Sequence, residues 1–144
     1  MEIADLTDIP FYEPDMETKP AAVEGVLAQI GAADVLVLGS TEYHYSIAPA
    51  LKNILDWASN EPNNALLAGK PTGGIGSSRS QYHLRQVSVF LDLQPLNKPE
   101  VFANAFASSF DAEGNLTDTS LVQLVSEQMQ TLVARGNLCA PDCR

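Results

Sequence analysis

Residues 34–57, DVLVLGSTEYHYSIAPALKNILDW, contain an apolar run, a polar loop and an amphipathic segment in direct succession. The apolar run ends at Ser40, is too short for a typical helix, and has the Val and Leu content of a strand buried on both faces. After the loop, apolar positions recur on one helical face, and Ser46 is predicted to cap this helix. Pro49 falls in the first turn of this helix. Proline is tolerated there because N–H groups of the first turn make no hydrogen bond within the helix. The stretch therefore predicts a strand, a loop and a helix.

The loop at residues 41–45 follows the carboxyl end of the predicted strand. Strands buried on both faces usually belong to parallel sheets, and open α/β sheets bind ligands outside the carboxyl ends of their strands. The loop is thus the first candidate for a binding site. Taken alone, its ring-bearing residues Tyr43, His44 and Tyr45 also fit an exposed loop that packs on a neighbouring chain.

The remaining sequence alternates between strand and helix patterns. The predicted elements are a strand at 2–6, a helix from Ala21 to about Gly31, a helix at 79–91, a short strand at 100–103, and a helix with an apolar stripe from Leu121 that Gly136 ends. Alternation without internal repeats indicates an α/β layered sheet. We expect one domain at residues 1–135, followed by a flexible tail at 136–144.

Length and charge exclude several classes of protein. The 144 residues are enough for one domain with a hydrophobic core. A net charge of -10 argues against binding to nucleic-acid backbones, which depends on clustered Lys and Arg. No apolar stretch approaches the roughly 20 residues of a membrane helix, and the first residues do not form a signal peptide. We therefore expect a cytoplasmic protein with no nucleic-acid or membrane partner.

Cys139 and Cys143 are the only cysteines and lie in the polar tail. Their spacing is compatible with a disulfide, with half of a metal site, or with two unrelated thiols. Two Cys without a nearby His are a weak metal signal, so we predict no metal site and no role for these thiols.

The loop and its helix resemble the NAD(P)H-dependent FMN reductases, a family that includes NADPH:quinone and azo-dye reductases. The family pattern is Pro-x-Tyr-Asn-x-Ser-Ile-Pro-Gly-x-Leu-Lys-Asn-x-x-Asp-Trp. The matching positions are Glu42-Tyr43, Ser46-Ile47, Leu51-Lys52-Asn53 and Asp56-Trp57; the departures are Thr41, His44 and Ala48-Pro49. Further matches lie at residues 69–87 and 96–118, so the resemblance extends over nearly the whole chain, from about residue 2 to 133.

The resemblance implies a flavodoxin-like α/β fold, a three-layer parallel sheet with helices on both faces. Compared with the family pattern, the chain lacks the first strand with its phosphate loop and a Gly-rich segment between Ser78 and Arg79. We therefore expect an N-terminally truncated sheet in which the strand at 2–6 pairs directly with that at 34–40; the less simple arrangement is that another chain supplies the missing edge. Residues 72–77 align with a central family strand, although glycine weakens a strand interior. Without the usual phosphate loop, FMN should bind more weakly than in a complete family member.

The function implied by the resemblance is transfer of hydride from NAD(P)H through FMN to a flavin, quinone or azo acceptor, in a homodimer or homotetramer. The implied cofactor-binding residues are Thr41, Glu42, Tyr43, His44, Ser77 and Ser78. No catalytic acid or base is assigned, because the cofactor itself performs the hydride transfer. The alternative is a non-catalytic flavodoxin-like remnant or interaction module that no longer binds FMN.

Two further groups of residues belong to the matched helices. Two roles are open for Arg79, Gln81, Tyr82 and Arg85. They either contact the nicotinamide or a phosphate, or they form a solvated helix face. Structural roles are expected for Lys52, Asn53, Asp56 and Trp57. His83 is predicted to lie on a helix surface or at an interface.

Overall fold

A computed structural model of the protein describes residues 1–103 and 109–138, apart from the side chain of Asn63. The helices are α1 (Ala21–Ala32), α2 (Pro49–Ser59), α3 (Ser78–Phe90) and α4 (Thr119–Leu138), with a single-turn helix at Pro62–Asn64. The strands are β1 (Leu36–Ser40), β2 (Pro71–Gly76), β3 (Gln94–Pro95) and β4 (Val101–Phe102). Cys139 and Cys143 lie outside the described residues. None of the described helices is both long and apolar enough to cross a bilayer.

The sheet is parallel, with β2 at its centre. β1 pairs with β2 along its whole length, from Leu36 opposite Thr72 to Ser40 opposite Gly76. On the other side of β2, β3 pairs with its first two residues and β4 with its last two. The carboxyl ends of β1, β2 and β4 therefore meet at one edge of the sheet.

The strand predicted at residues 2–6 does not form, and its predicted pairing with β1 is wrong. Residues 2–6 have no ladder partner, and within the described part of the chain β1 pairs with β2 alone. Ala4 and Leu6 are half-buried against the core while their neighbours are exposed. The alternation that predicted a strand thus reflects side chains packed on the core by an extended segment outside the sheet.

Helices cover both faces of the sheet, as expected for a flavodoxin-like fold. One core cluster joins the apolar faces of α1, α2 and α3 to Leu38 of β1. Successive strand residues point to opposite faces, and β2 shows both layers directly. A Cβ on Gly73 would meet side chains of α4, whereas a Cβ on Gly74 would meet Gln81 of α3.

The glycines of β2 have a packing reason. A Cβ on Gly73 would lie 2.7 Å from both Gln128 Oε1 and Leu132 Cδ1, and one on Gly74 would lie 3.0 Å from Gln81 Oε1. These contacts are closer than side chains normally allow. The glycine-rich segment is therefore a central strand whose two neighbouring helices approach its backbone.

Two predicted helix ends were wrong. The N-cap of α2 is Ala48, with Pro49 at the first helical position, so Ser46 does not cap this helix. α4 continues through Gly136 to Leu138. A Cβ on Gly136 would lie 2.8 Å from Val35 Cγ1, so this glycine permits close packing against the residue before β1 and does not end the helix.

The carboxyl end of α1 is closed by a buried lysine. Lys70 is 5% exposed, and its ammonium group donates hydrogen bonds to the carbonyl oxygens of Ile30, Gly31 and Ala33, the last at 2.7 Å. Carbonyl groups in the last turn of a helix lack the usual intrahelical donor, and Ile30 has in addition only a 3.3 Å bond from the N–H of Ala33. Lys70 immediately precedes β2, so this contact joins α1 to the central strand.

Candidate functional site

Two of the predicted binding segments meet at the carboxyl edge of the sheet. Ser40 and Gly76 are the last paired residues of β1 and β2, so the segments that follow them leave the sheet side by side. Gly76 has φ +148°, and a Cβ on it would lie 2.0 Å from the carbonyl oxygen of Ser40. Only glycine allows this approach, which keeps the loop at 41–46 next to Ser77 and Ser78.

The first loop contains a tight two-residue turn. Tyr43 and Ser46 exchange backbone hydrogen bonds, with N–H to oxygen distances of 3.1 and 2.9 Å. The two central residues, His44 and Tyr45, have φ of 50° and 66°. Positive φ at both central positions is typical of a type I′ turn, for which Asn and Gly are preferred. The family pattern has Asn where this chain has His44, and both residue types are enriched at positive φ.

The side chain of Glu42 connects this loop to the start of α3. Its two carboxylate oxygens accept hydrogen bonds from the backbone N–H and from Nη1 of Arg79, each at 3.2 Å. The Glu42 side chain is only 16% exposed. Ser77, the N-cap residue of α3, makes no side-chain capping bond. Glu42 therefore satisfies a free N–H group of the first turn of α3 from a different segment of the chain.

Two further contacts hold the turn against α3. The guanidinium carbon of Arg79 lies 4.2 Å from the ring centroid of Tyr45, within the range of a cation–π contact. The hydroxyl of Ser46 and Nδ1 of His83 are 3.1 Å apart. Ser46 thus contacts α3, although it was predicted to cap α2. His83 lies on the surface of α3, as predicted.

Ser40 organises the point at which the loop leaves β1. Its hydroxyl accepts a hydrogen bond from the N–H of Ala48 at 3.1 Å and donates one to the carbonyl of Thr41 at 2.9 Å. Ser40 is 4% exposed. No role was predicted for Ser40, although a serine at the end of an apolar strand, before a loop and a helix start, indicates a residue that can bond to both.

The six predicted cofactor-binding residues all lie at this edge. Exposed side chains belong to Thr41, Tyr43, His44 and Ser78; half-buried ones belong to Glu42 and Ser77. The structure connects the two segments through Glu42 and the first turn of α3, and no hydrogen bond of the described residues joins His44 to Ser77. Tyr43 and Tyr45 of the turn are 54% and 67% exposed and lie beside the N-terminus of α3.

The neighbouring α3 residues mostly have structural partners. Gln81 is buried and donates to the carbonyl oxygens of Gly76 and Val101, at 3.0 and 2.7 Å. Arg85 donates to the carbonyl oxygen of Leu96 at 2.7 Å. Tyr82 is half exposed. Of the four candidates on this helix, Arg79 and Tyr82 are exposed; Arg79 contacts the loop, whereas the ring of Tyr82 lies 6.4 Å from that of Phe102.

Two residues of α2 that match the family pattern, Asn53 and Trp57, hold the N-terminal segment, in line with their predicted structural roles. Asn53 accepts a hydrogen bond from the N–H of Tyr12 and donates one to the carbonyl of Pro10, both at 2.8 Å. The indole N–H of Trp57 donates to the same carbonyl at 2.9 Å. Lys52 and Asp56 form an ion pair one turn apart.

Comparison with known proteins gives consistent results. A family model described as NADPH-dependent FMN reductase matches residues 1–108. An NAD(P)H-dependent FMN reductase of Pseudomonas aeruginosa is 44% identical over 140 residues, which cover 92% of this chain and 76% of that protein. An NADPH:quinone oxidoreductase of Arabidopsis thaliana is 43% identical, with coverage of 93% and 73%.

The fold has solved counterparts as well. A flavoenzyme NAD(P)H:(acceptor) oxidoreductase from Paracoccus denitrificans superposes with a TM-score of 0.80 at 22% identity, covering 94% of this chain and 79% of that one. An oxidoreductase from Corynebacterium diphtheriae gives a TM-score of 0.63 at 17% identity, covering 81% of this chain and 63% of that one. At these identities the superpositions show a common fold.

Proposed function

The chain belongs to the NADPH-dependent FMN reductase family, and on this basis we propose that it transfers hydride from NAD(P)H through FMN to a quinone, free flavin or azo acceptor. The observation that supports this best is the meeting of the loop at 41–46 with Ser77 and Ser78 at the carboxyl edge of a parallel sheet. Open α/β sheets bind their ligands there. The relatives support a reductase and give no support to the alternative of an interaction module.

The residues at this edge fit a flavin ring. Within the described part of the chain, the N–H groups of His44 and Tyr45 donate no hydrogen bond to protein, and Tyr43 is 54% exposed. We propose that residues 41–44 lie against one side of the flavin and that Ser77 and Ser78 lie against the other. N–H groups at the polar edge of the ring stabilise negative charge there, and the ring of Tyr43 limits access of water.

Bound FMN would supply the hydride chemistry, and the protein would supply orientation. The two loops would hold the ring so that donor and acceptor atoms approach within about 3 to 3.5 Å. No side chain needs to act as the hydride carrier. The described residues contain no cluster of three or more His, Cys, Asp or Glu that could hold a metal ion.

Titration with FMN, followed by NADH or NADPH oxidation with a soluble quinone, tests the function. Ser78 is the first residue of α3, where proline is tolerated, and Ser77 before it has φ -78° and ψ 158°, which suit a residue before proline. Ser78→Pro should therefore keep the fold but remove an N–H group facing the flavin, and weaken FMN binding. Ser78→Ala, which keeps the N–H, is the matched control. A folded wild-type protein that neither binds FMN nor oxidises NAD(P)H would refute the proposal.

We also propose that the protein forms a homodimer or homotetramer through the α2 and α3 surface. A groove there is lined by Lys52, Leu55, Asp56, Ser59, Val87, Phe90 and Leu91. Phe90 of this groove is 84% exposed and the adjacent Val89 is 83% exposed, and neighbouring exposed apolar side chains favour an interface. Phe90→Glu should lower the mass measured by light scattering. Phe11→Glu, at an equally exposed Phe of the N-terminal segment, is the control.

The cytoplasmic location expected from the sequence belongs to the same proposal. Cell fractionation with an antibody against the protein tests it. Recovery in the membrane or extracellular fraction would contradict it.

A further inference from the structure

The turn at 43–46 has a backbone conformation that is costly for residues other than glycine, although His is found in it more often than Tyr. His44 and Tyr45 both have positive φ, and a residue with a Cβ atom is unfavourable in that region. Such conformations persist when surrounding contacts over-determine them, and they concentrate at ligand-binding sites. The turn therefore keeps this backbone conformation only while the contacts around it are in place.

Those contacts converge on one helix. Glu42 binds the backbone N–H and the guanidinium of Arg79, the guanidinium packs on Tyr45, and Ser46 contacts His83. Arg79 and His83 are four residues apart, so they lie on the same face of α3. Residues on both sides of the strained pair are thus held by the first two turns of this helix.

We propose that Glu42 is a positioning residue that acts through Arg79 to hold the turn at 43–46 in the conformation that binds flavin, an inference that rests on the proposed function. The Glu42 carboxylate is turned towards α3 and is largely covered, so it does not itself provide a ligand for the ring. Its charge lies at the positive end of α3 and replaces the cap that Ser77 does not provide.

This role predicts how binding responds to substitution. If the turn adopts the binding conformation only part of the time, the apparent dissociation constant rises by the inverse of that fraction. Loss of a hydrogen bond to a charged group is large enough to reduce the fraction about tenfold. The loss should affect FMN and riboflavin equally, because the turn contacts the ring that both share.

The first test needs no ligand. Hydrogen exchange of the Arg79 amide, followed by NMR, should be about tenfold faster in Glu42→Ala, because a first-turn N–H has no other protein partner. Arg79→Met should keep this amide protected, since it removes the guanidinium contacts but leaves the N–H to carboxylate bond. Unchanged exchange in Glu42→Ala would overturn the proposed contact.

The second test measures affinity for FMN and for riboflavin by fluorescence titration. Glu42→Ala should weaken both by about tenfold. Glu61→Ala, which breaks the Lys19–Glu61 ion pair beyond the far end of α2, is the control and should change neither. Adding His44→Asn to Glu42→Ala should restore part of the affinity, because Asn tolerates positive φ better and needs less support. A purely structural loss would not be rescued in this way.

The outcomes separate the inference from the proposed function. Tighter FMN binding in Glu42→Ala, with riboflavin unchanged, would mean that the carboxylate competes with the phosphate and would overturn the positioning role. If the wild-type protein binds both flavins and Glu42→Ala binds them equally well, the positioning role is overturned but the proposed function stands. A wild-type protein that binds neither flavin would overturn both.

Discussion

Alanine in place of Gly76 should open the edge of the sheet at which we propose the flavin site. The new Cβ would lie 2.0 Å from the carbonyl oxygen of Ser40, whereas ordinary contacts begin at 3.4 Å. The two strand ends would have to separate by more than an ångström, because the obstructing atom is backbone and cannot rotate away. The φ of +148° adds strain of about 1 to 3 kcal/mol, and the lost terminal pairing adds about 1 kcal/mol. We expect a loss of roughly 3 kcal/mol in the free energy of unfolding.

Two other strand glycines provide graded controls. A Cβ on Gly39 of β1 meets nothing within 4 Å, so Gly39→Ala should stabilise the protein by up to about 0.5 kcal/mol. A Cβ on Gly73 meets side-chain atoms of α4 at 2.7 Å, which can move at a cost of about 1 to 3 kcal/mol. The expected order of destabilisation is therefore Gly76→Ala, then Gly73→Ala, then Gly39→Ala.

Urea unfolding followed by tryptophan fluorescence measures this series. Trp57 is the only tryptophan and is 2% exposed, so its emission reports loss of the core. FMN titration of the same variants should show the largest loss for Gly76→Ala, because both loops follow the displaced strand ends. Equal unfolding free energies for Gly76→Ala and Gly39→Ala would refute the close approach of β1 and β2 at this edge.

Three further predictions concern other parts of the fold. Lys70→Met should lower the free energy of unfolding by about 1 to 3 kcal/mol in urea, because carbonyl oxygens at the end of α1 lose their buried donor. Asn53→Ala removes two hydrogen bonds to residues 10–12, so limited proteolysis should cut the N-terminal segment sooner than in wild type. Hydrogen bonds from the side chain and backbone of Asn115 lower the pKa of Asp111. The stability from this turn is present above the unfolded-state pKa and is lost as pH falls through the folded-state pKa. Asn115→Ala should raise the pKa of Asp111 in an NMR titration, and an unchanged value would contradict this cause.

Much of the fold could be predicted from short-range pattern. The continuous apolar run before Ser40 predicted β1, because a strand buried on both faces is apolar throughout. The helical spacing of apolar residues predicted α2, because this helix is buried on one face. The same stretch also indicated a candidate site, since its loop follows a parallel strand. The apolar positions of α4 predicted a helix from Leu121, and only its last residues were misplaced.

The sequence pattern gave wrong or weak predictions where a residue packs against a partner that is distant in the sequence. The alternation at 2–6 is produced by packing on the core, and Gly136 is required by Val35 rather than by a helix end. The glycines of β2 weakened its strand pattern because two helices need that space. Each of these residue types is required by a contact with a residue far away in the sequence. The periodicity of the sequence does not reveal such contacts.

The sequence by itself determined that a strand, a loop and a helix follow one another from residue 34 to 57, and that the loop is the candidate site. Only the tertiary structure decided what the residues of that loop do. The contact of the Glu42 side chain with the start of α3 was not predicted, and Ser46, which was predicted to cap α2, contacts His83 instead. The physical reason is that a side chain takes the nearest suitable partner in space, and the pairing of β1 with β2 brought α3 to this loop.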